Sequence, residues 1–195
     1  MRPPRGGEYP RFEAYRLHDP EMGREISFRP ATLDDTDLLH DWMNRPHVVP
    51  FWDLALPISG IRGYLEGRME GAHETPYIGT LDGVPMSYWE AYWAVDDVLG
   101  RFYEAAPEDQ GVHLLIGPPE FLGRGLALPL LRAMTAFRFG HPGTEKIVAE
   151  PDARNARMIH VFERCGFEVQ GEIDLPDKRA ALMFCHRARF EREVL

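Results

Sequence analysis

The stretch that most constrains this chain is residues 111–127, Gly-Val-His-Leu-Leu-Ile-Gly-Pro-Pro-Glu-Phe-Leu-Gly-Arg-Gly-Leu-Ala. An apolar run over 112–116, interrupted by His113, leads into a Gly/Pro loop. The glycine pair Gly123 and Gly125 then opens an apolar segment of helical spacing. That order predicts strand, loop and helix. First-turn amides of a helix have no carbonyl partners within it, so a loop that turns them toward a ligand makes an anion site, phosphate above all. Gly-x-Gly also suits a plain tight turn, and a histidine in a strand also suits a core side chain bonded to a backbone carbonyl. The functional reading is a phosphorylated cofactor held beside a titratable group.

The flanking sequence predicts a mixed α/β domain. Ile26 and Phe28 alternate with polar residues over 26–30, the sign of a half-buried strand. Thr32 and Asp35 mark a helix start; Leu38, Leu39, Trp42 and Met43 recur at helical spacing, and Pro46 stops the run. A second helix is expected over 59–69, despite three internal glycines, because Ile61, Tyr64, Leu65 and Met69 share one stripe. Asp82-Gly83 between strand-like runs at 75–81 and 84–95 signals a hairpin. The segment after the glycine loop carries Leu126, Leu130, Leu131, Met134 and Phe137 on one broad face, with Pro129 in its first turn. A short buried strand at 146–149 closes on Glu150-Pro151-Asp152. A helix over 155–165 ends at Gly166, and strands at 167–173 and 179–186 follow. The element order β-α-α-β-β-β-α-β-α-β-β implies helices covering a sheet.

At 195 residues, 44% hydrophobic and 27% charged, the chain fits one domain over 25–195, preceded by a partly extended arm over 1–24 with a strand near 12–17. No apolar run reaches membrane-spanning length, and no apolar stretch follows the first arginines, so a cytoplasmic protein is expected. A net charge of −9 argues against nucleic acid or an anionic membrane as partner and tolerates a cationic small molecule. Cys165 and Cys185 lack metal-ligand spacing and are expected to be buried and reduced, with no metal site. A monomer or weak homodimer is expected.

A second motif, Asn155-Ala-Arg-Met-Ile-His-Val-Phe-Glu-Arg-Cys-Gly-Phe167, couples a helix-start Asn to an amphipathic helix and a Gly-Phe exit. With the glycine loop it makes the chain resemble the GNAT superfamily of acyl-CoA-dependent N-acyltransferases. Gly123 and Gly125 match the pyrophosphate loop of that superfamily, and Asn155, Gly166 and Phe167 match its next motif. The resemblance implies a mixed, mostly antiparallel sheet with a splayed parallel pair at its centre, flanked by helices. It implies acetyl-CoA or another acyl-CoA as co-substrate, held by Ile116, Phe121, Leu122, Gly123, Arg124, Gly125, Leu126 and Asn155. Two positions depart from the pattern. Glu120 stands where Arg or Gln is usual, which leaves the pyrophosphate to backbone amides, and Phe162 stands where many relatives carry a Tyr that protonates the CoA thiolate.

Residues 39–52, 87–90, 109–117 and 150–155 resemble more narrowly the branch that acylates N-hydroxylated amines in hydroxamate siderophore synthesis, a likeness covering about 28–181. That branch implies His113 and Asp152 as the catalytic pair. Trp52 and Glu90 are the expected acceptor contacts, Glu90 pairing a cationic amine. The chemistry also stands on its own residues. Thioester aminolysis needs an unprotonated nitrogen nucleophile and a place for its proton, and an imidazole titrating near neutrality suits the second role. Asp152 either orients that imidazole, accepts a hydrogen bond from a substrate N–OH, or caps the following helix. The small-molecule partners would be an acyl-CoA and an N-hydroxylated lysine, ornithine or diamine. An aminoglycoside 6′-N-acetyltransferase and a non-catalytic acyl-CoA-binding domain are the competing readings. Acyl chain length and the identity of the acceptor are not legible.

Overall fold

A computed structural model describes residues 14–194. Eight strands form one sheet: β1 (Tyr15–Asp19), β2 (Arg24–Pro30), β3 (Glu74–Leu81), β4 (Val84–Trp93), β5 (Gln110–Ile116), β6 (Lys146–Ala149), β7 (Glu168–Asp174) and β8 (Arg179–His186). Their order is β1-β2-β3-β4-β5-β6-β8-β7. The β5–β6 pair is parallel, whereas β1–β2, β2–β3, β6–β8 and β7–β8 are antiparallel, in keeping with the mixed sheet expected. The described chain packs as two compact units that interleave in sequence, one formed by residues 14–91 together with 114–126, the other by 92–113 together with 127–194. Strands β4 and β5 contribute to both.

The N-terminal unit holds β1 to β3 and the helices α1 (Thr36–Met43) and α2 (Ile58–Glu70). The alternation in β2 buries Ile26 and Phe28, which pair with Leu81 and Gly79 of β3. A short 3-10 turn precedes α1. There Asp35 accepts from the Thr32 amide at 2.9 Å and is gripped by the Arg29 guanidinium at 2.6 and 2.8 Å. α1 ends at Met43, before Pro46, with Asn44 as its C-cap. Three glycines weaken α2 by about 1 kcal/mol each relative to alanine. Ile61 and Leu65 are fully buried in it, and each contributes roughly 1.5–3 kcal/mol, enough to offset that loss. They join Leu39, Trp42, Met43, Ile78, Tyr88 and Leu115 in one core.

The C-terminal unit is built on β6, whose Ile147, Val148 and Ala149 are completely buried, with α3 (Ala127–Phe139) and α4 (Ala156–Arg164) packed together in the same unit. Asn155 is the N-cap of α4, its side chain accepting from the Met158 amide at 3.2 Å. Phe162 lies inside the core, edge-on to Phe167 at 4.9 Å. Cys165 and Cys185 are free and buried, and burial pushes the Cys165 thiol up to about 12.

Two elements differ from the sequence expectation. The first strand lies at Tyr15–Asp19 rather than near 12–17, and residues 12 and 13 fall outside the described part. A fifth helix, α5 (Arg187–Glu193), was not expected, because Phe190 is its single buried apolar anchor and gives no period to read. Ion pairs Arg187–Glu191 and Arg189–Glu193 at i,i+4 spacing support it. Arg187 also donates to the carbonyls of His141 and Thr144 at 2.7 and 2.6 Å, which ties the helix down.

Candidate active site

The parallel ladder between β5 and β6 pairs Gln110 with Ile147 and Gly111 with Val148. Side chains two residues apart on a strand return to the same face, so the same offset carried two residues further sets His113 beside Glu150. The side chains meet there: His113 Nε2 is hydrogen-bonded to the Glu150 carboxylate. Tyr92, from β4, completes the contact. Its hydroxyl donates to Glu150 at 3.1 Å and lies 3.2 Å from His113 Nε2, the two rings being 4.9 Å apart. Gly111 makes room for this, because a Cβ built there would fall inside the Tyr92 ring. Lys178 enters from the β7–β8 turn, which is closed by a bond from the Leu175 amide to the Lys178 carbonyl at 2.8 Å, and brings Nζ within 3.7 Å of Glu150.

Glu150 is therefore a buried carboxylate, its side chain 5% exposed, at the centre of three donors, while the His113 side chain is 26% exposed. Burial alone would raise the Glu150 carboxyl. The charge and hydrogen bond of His113, the charge of Lys178 and the bond from Tyr92 together hold it below the usual carboxylate range, so it is ionised at neutral pH. Burial, followed by the charge of Glu150, drives the Tyr92 hydroxyl well above its ordinary value, and Tyr92 acts purely as a neutral donor. With Nε2–H given to Glu150, the basic lone pair of a neutral His113 sits on Nδ1.

Asp152 is placed differently. It forms an isolated bridge with Ala180, and its carboxylate accepts from the Arg154 amide at 2.8 Å and from the Arg154 guanidinium at 2.6 Å. These hydrogen bonds hold its carboxyl below the usual range. The turn that follows is closed by the Asn155 amide on the Asp152 carbonyl at 2.8 Å, and it is Asn155, not Asp152, that caps α4. Sequence reasoning paired His113 with Asp152. The partner the structure draws is Glu150, and Tyr92 and Lys178 are two further residues that reasoning missed as site groups.

The glycine loop belongs to the N-terminal unit. Gly123 and Gly125 are left-handed, at φ +69° and +74°, with open space where a Cβ would go. Backbone, not packing, thus demands glycine at both. α3 begins two residues after Gly125, at Ala127. Leu122, Arg124 and Glu120 are exposed on this loop, and Phe121 and Leu126 are half-buried. The Ile116 carbonyl is taken by His47 Nε2 at 3.0 Å.

The two expected acceptor contacts also lie in the N-terminal unit. Trp52 packs edge-on against Tyr88 at 5.8 Å. Glu90 is 2% exposed and receives the Tyr64 hydroxyl, the Tyr88 hydroxyl at 3.0 Å and Arg68 Nε at 3.6 Å. Arg68 also binds Glu74 at 2.6 Å, so one guanidinium serves two carboxylates. Burial raises Glu74 in spite of that arginine.

A mixed sheet with a parallel pair, a loop with two left-handed glycines before a helix, and a histidine on the strand before that loop make up the frame of the chain. A family model described as an acetyltransferase (GNAT) domain matches residues 31–175, and the chain belongs to that family. It is 36% identical, over its whole length, to the N(6)-hydroxylysine O-acetyltransferase of Escherichia coli, but spans only 61% of that relative. It is 34% identical to the lysine N-acyltransferase MbtK of Mycolicibacterium paratuberculosis, covering 84% of this chain and 74% of that one. Among solved structures, an uncharacterized protein from Bacillus halodurans superposes with a TM-score of 0.92 at 44% identity, over 94% of this chain and 95% of that one. An aminoglycoside acetyltransferase AAC(6′)-Ib in complex with coenzyme A superposes with a TM-score of 0.79 at 33% identity, over 86% of this chain and 98% of that one.

Proposed function

We propose that residues 25–195 act as one acyl-CoA-dependent N-acyltransferase domain, cytoplasmic and preceded by the arm over 1–24. It would transfer an acyl group, acetyl in the simplest case, to the hydroxylamine nitrogen of an N-hydroxylated lysine, ornithine or diamine, as hydroxamate siderophore assembly requires. The observation that carries this reading is His113, anchored through Nε2 to an ionised, buried Glu150 and partly open to solvent.

In this reading the acyl-CoA pyrophosphate lies against the amides of 122–126, with Arg124 as the available cation; Ile116, Phe121 and Asn155 are the other proposed cofactor residues. The nucleophile is a neutral hydroxylamine nitrogen, less basic than an alkyl amine and so already unprotonated at neutral pH. It attacks the thioester carbonyl and its N–H proton passes to His113 Nδ1. The C–S bond breaks, and the imidazolium returns that proton to the CoA thiolate. This closes the proton cycle without a tyrosine at 162, where Phe162 belongs to the core. Glu150 stabilises the imidazolium. Asp152 takes the substrate N–OH; Trp52 and Glu90, the latter already balanced by Arg68, are the other proposed acceptor contacts.

The relatives leave the acylated atom open, since one is named for oxygen and one for nitrogen. The test is thiol release from acetyl-CoA by the purified protein with N6-hydroxylysine, N5-hydroxyornithine and N-hydroxyputrescine. Ferric ion reports the product, because an N-acyl product is a hydroxamate and colours with iron while an O-acyl product is not. No thiol release above background with any of them would sink the proposal. The acidic balance of −9 and the likeness to an aminoglycoside acetyltransferase over 98% of its length favour one second reading, acetylation of a cationic aminoglycoside. Turnover of kanamycin in preference to every hydroxylamine would select it.

A further inference from the structure

Lys178 lies in a hairpin turn of Pro, Asp and Lys that reads in the sequence as a solvated loop, yet its side chain is only 21% exposed and its ammonium stands 3.7 Å from a buried carboxylate. Glu150 thereby faces the Lys178 ammonium and the His113 imidazole at once, with Tyr92 as a neutral third donor. One carboxylate cannot serve both in full. We propose that Lys178 is a positioning residue that competes with His113 for Glu150 and so keeps the imidazole in its neutral, proton-accepting form at physiological pH.

The physics is a matter of sign. A lone buried carboxylate against an imidazole favours the imidazolium strongly, and a base that is already protonated cannot accept the substrate's proton. A second positive charge beside the same carboxylate oxygen, Oε1, offsets part of its field, and the proton leaves the imidazole at lower pH. Tyr92 on β4 is neutral, and Asp97, Tyr103 and Asp109 act on Tyr92 or on one another further off. Asp152 at the end of β6 also feels Lys178 but is neutralised locally by Arg154. No other cation is recorded on Glu150 among the described residues. The lysine is held in place by its turn, closed by the Leu175 amide on its carbonyl, so the arrangement is built into the β7–β8 hairpin.

This inference rests on His113 being the base in the proposed reaction, and the test separates the two. The imidazole of His113 is titrated by NMR in the isotope-labelled full chain, for wild type, Lys178→Met and Lys178→Arg, and its signal is assigned with His113→Gln. Lys178→Met is expected to raise the midpoint by about one pH unit, with Lys178→Arg returning it to within a few tenths of wild type. A thermal melt confirms folding of each variant, and should Lys178→Met fail to fold, Lys178→Gln replaces it. An unmoved midpoint in the folded methionine or glutamine variant overturns the proposal, whatever the activity does. The acid limb of kcat/KM is measured in parallel. If it rises with the NMR midpoint, His113 is the base and Lys178 tunes it. If the midpoint moves and the acid limb does not, the role of Lys178 toward the imidazole stands and the catalytic reading of His113 falls.

Discussion

Replacing Glu150 by glutamine keeps the volume and a hydrogen-bond acceptor while removing the charge, which makes it the sharpest probe of the site. In wild type the carboxylate is almost wholly buried and meets His113, Tyr92 at 3.1 Å and Lys178 at 3.7 Å. A hydrogen bond to an ionised partner contributes roughly 1.5–3 kcal/mol, about twice a neutral one. The transition state places a positive charge on the imidazole, so Glu150→Gln should forfeit most of that difference. At about 1.4 kcal/mol per decade, kcat/KM is expected to fall roughly 3- to 10-fold. The sign of the pH effect is also set. A carboxylate favours the imidazolium, its loss lets the proton leave earlier, and the acid limb of kcat/KM moves to lower pH by about one unit or more. This is opposite in direction to the change expected for Lys178→Met. Stability changes too. Because Glu150 has a folded-state affinity for protons below its unfolded one, its contribution is present above the ordinary carboxylate range and is lost as the pH falls through that range. The assay is thiol release from acetyl-CoA with an N-hydroxylated amine from about pH 5.5 to 9, alongside a thermal melt. A loss under about threefold with an unmoved acid limb would refute the pairing as a catalytic device.

His113→Ala is expected to lower kcat roughly 10²- to 10⁴-fold, and a loss under about threefold would remove the imidazole from the mechanism. Gly123→Ala forces a Cβ into a left-handed backbone at about 1–2 kcal/mol, so KM for acetyl-CoA should rise severalfold with kcat largely kept. A KM equal to wild type would mean that the loop does not hold the pyrophosphate. Asp35→Asn should cost about 1 kcal/mol at pH 7 by weakening the Thr32 cap and the half-exposed Arg29 pair. Burial raises the Asp35 carboxyl, but Arg29 and Thr32 outweigh it and hold it below the usual range, so the difference should vanish as the pH drops through that range. Urea unfolding at pH 7 and pH 3 checks this, and an equal gap at both would contradict it.

The local grammar of the chain was largely legible. Asn155 capping α4, the Asp82-Gly83 hairpin, and the strand, glycine loop and helix around His113 each depend on neighbours a few residues apart, and each is found where spacing placed it. What stayed hidden was the polar wiring. Glu90 looked like a carboxylate waiting for a cationic substrate, yet Arg68 from α2 already balances it, a partner that only the packing of a helix on a sheet supplies.

The sequence alone determined that a histidine would stand on the strand leading into a glycine loop, because strand period and glycine conformation are properties of adjacent residues. Only the tertiary structure decided which carboxylate would face that histidine. Asp152 and Glu150 are equally acidic and two residues apart, and local patterning does not tell them apart. The parallel register Gly111↔Val148 does, since it fixes a 37-residue offset that carries His113 onto Glu150. The fold then leaves Asp152 with Arg154, and the β7–β8 turn brings Lys178 back to the same carboxylate from far along the chain. Register and hairpin closure are contacts between distant segments, and a distant contact has no signature in the neighbours of either residue.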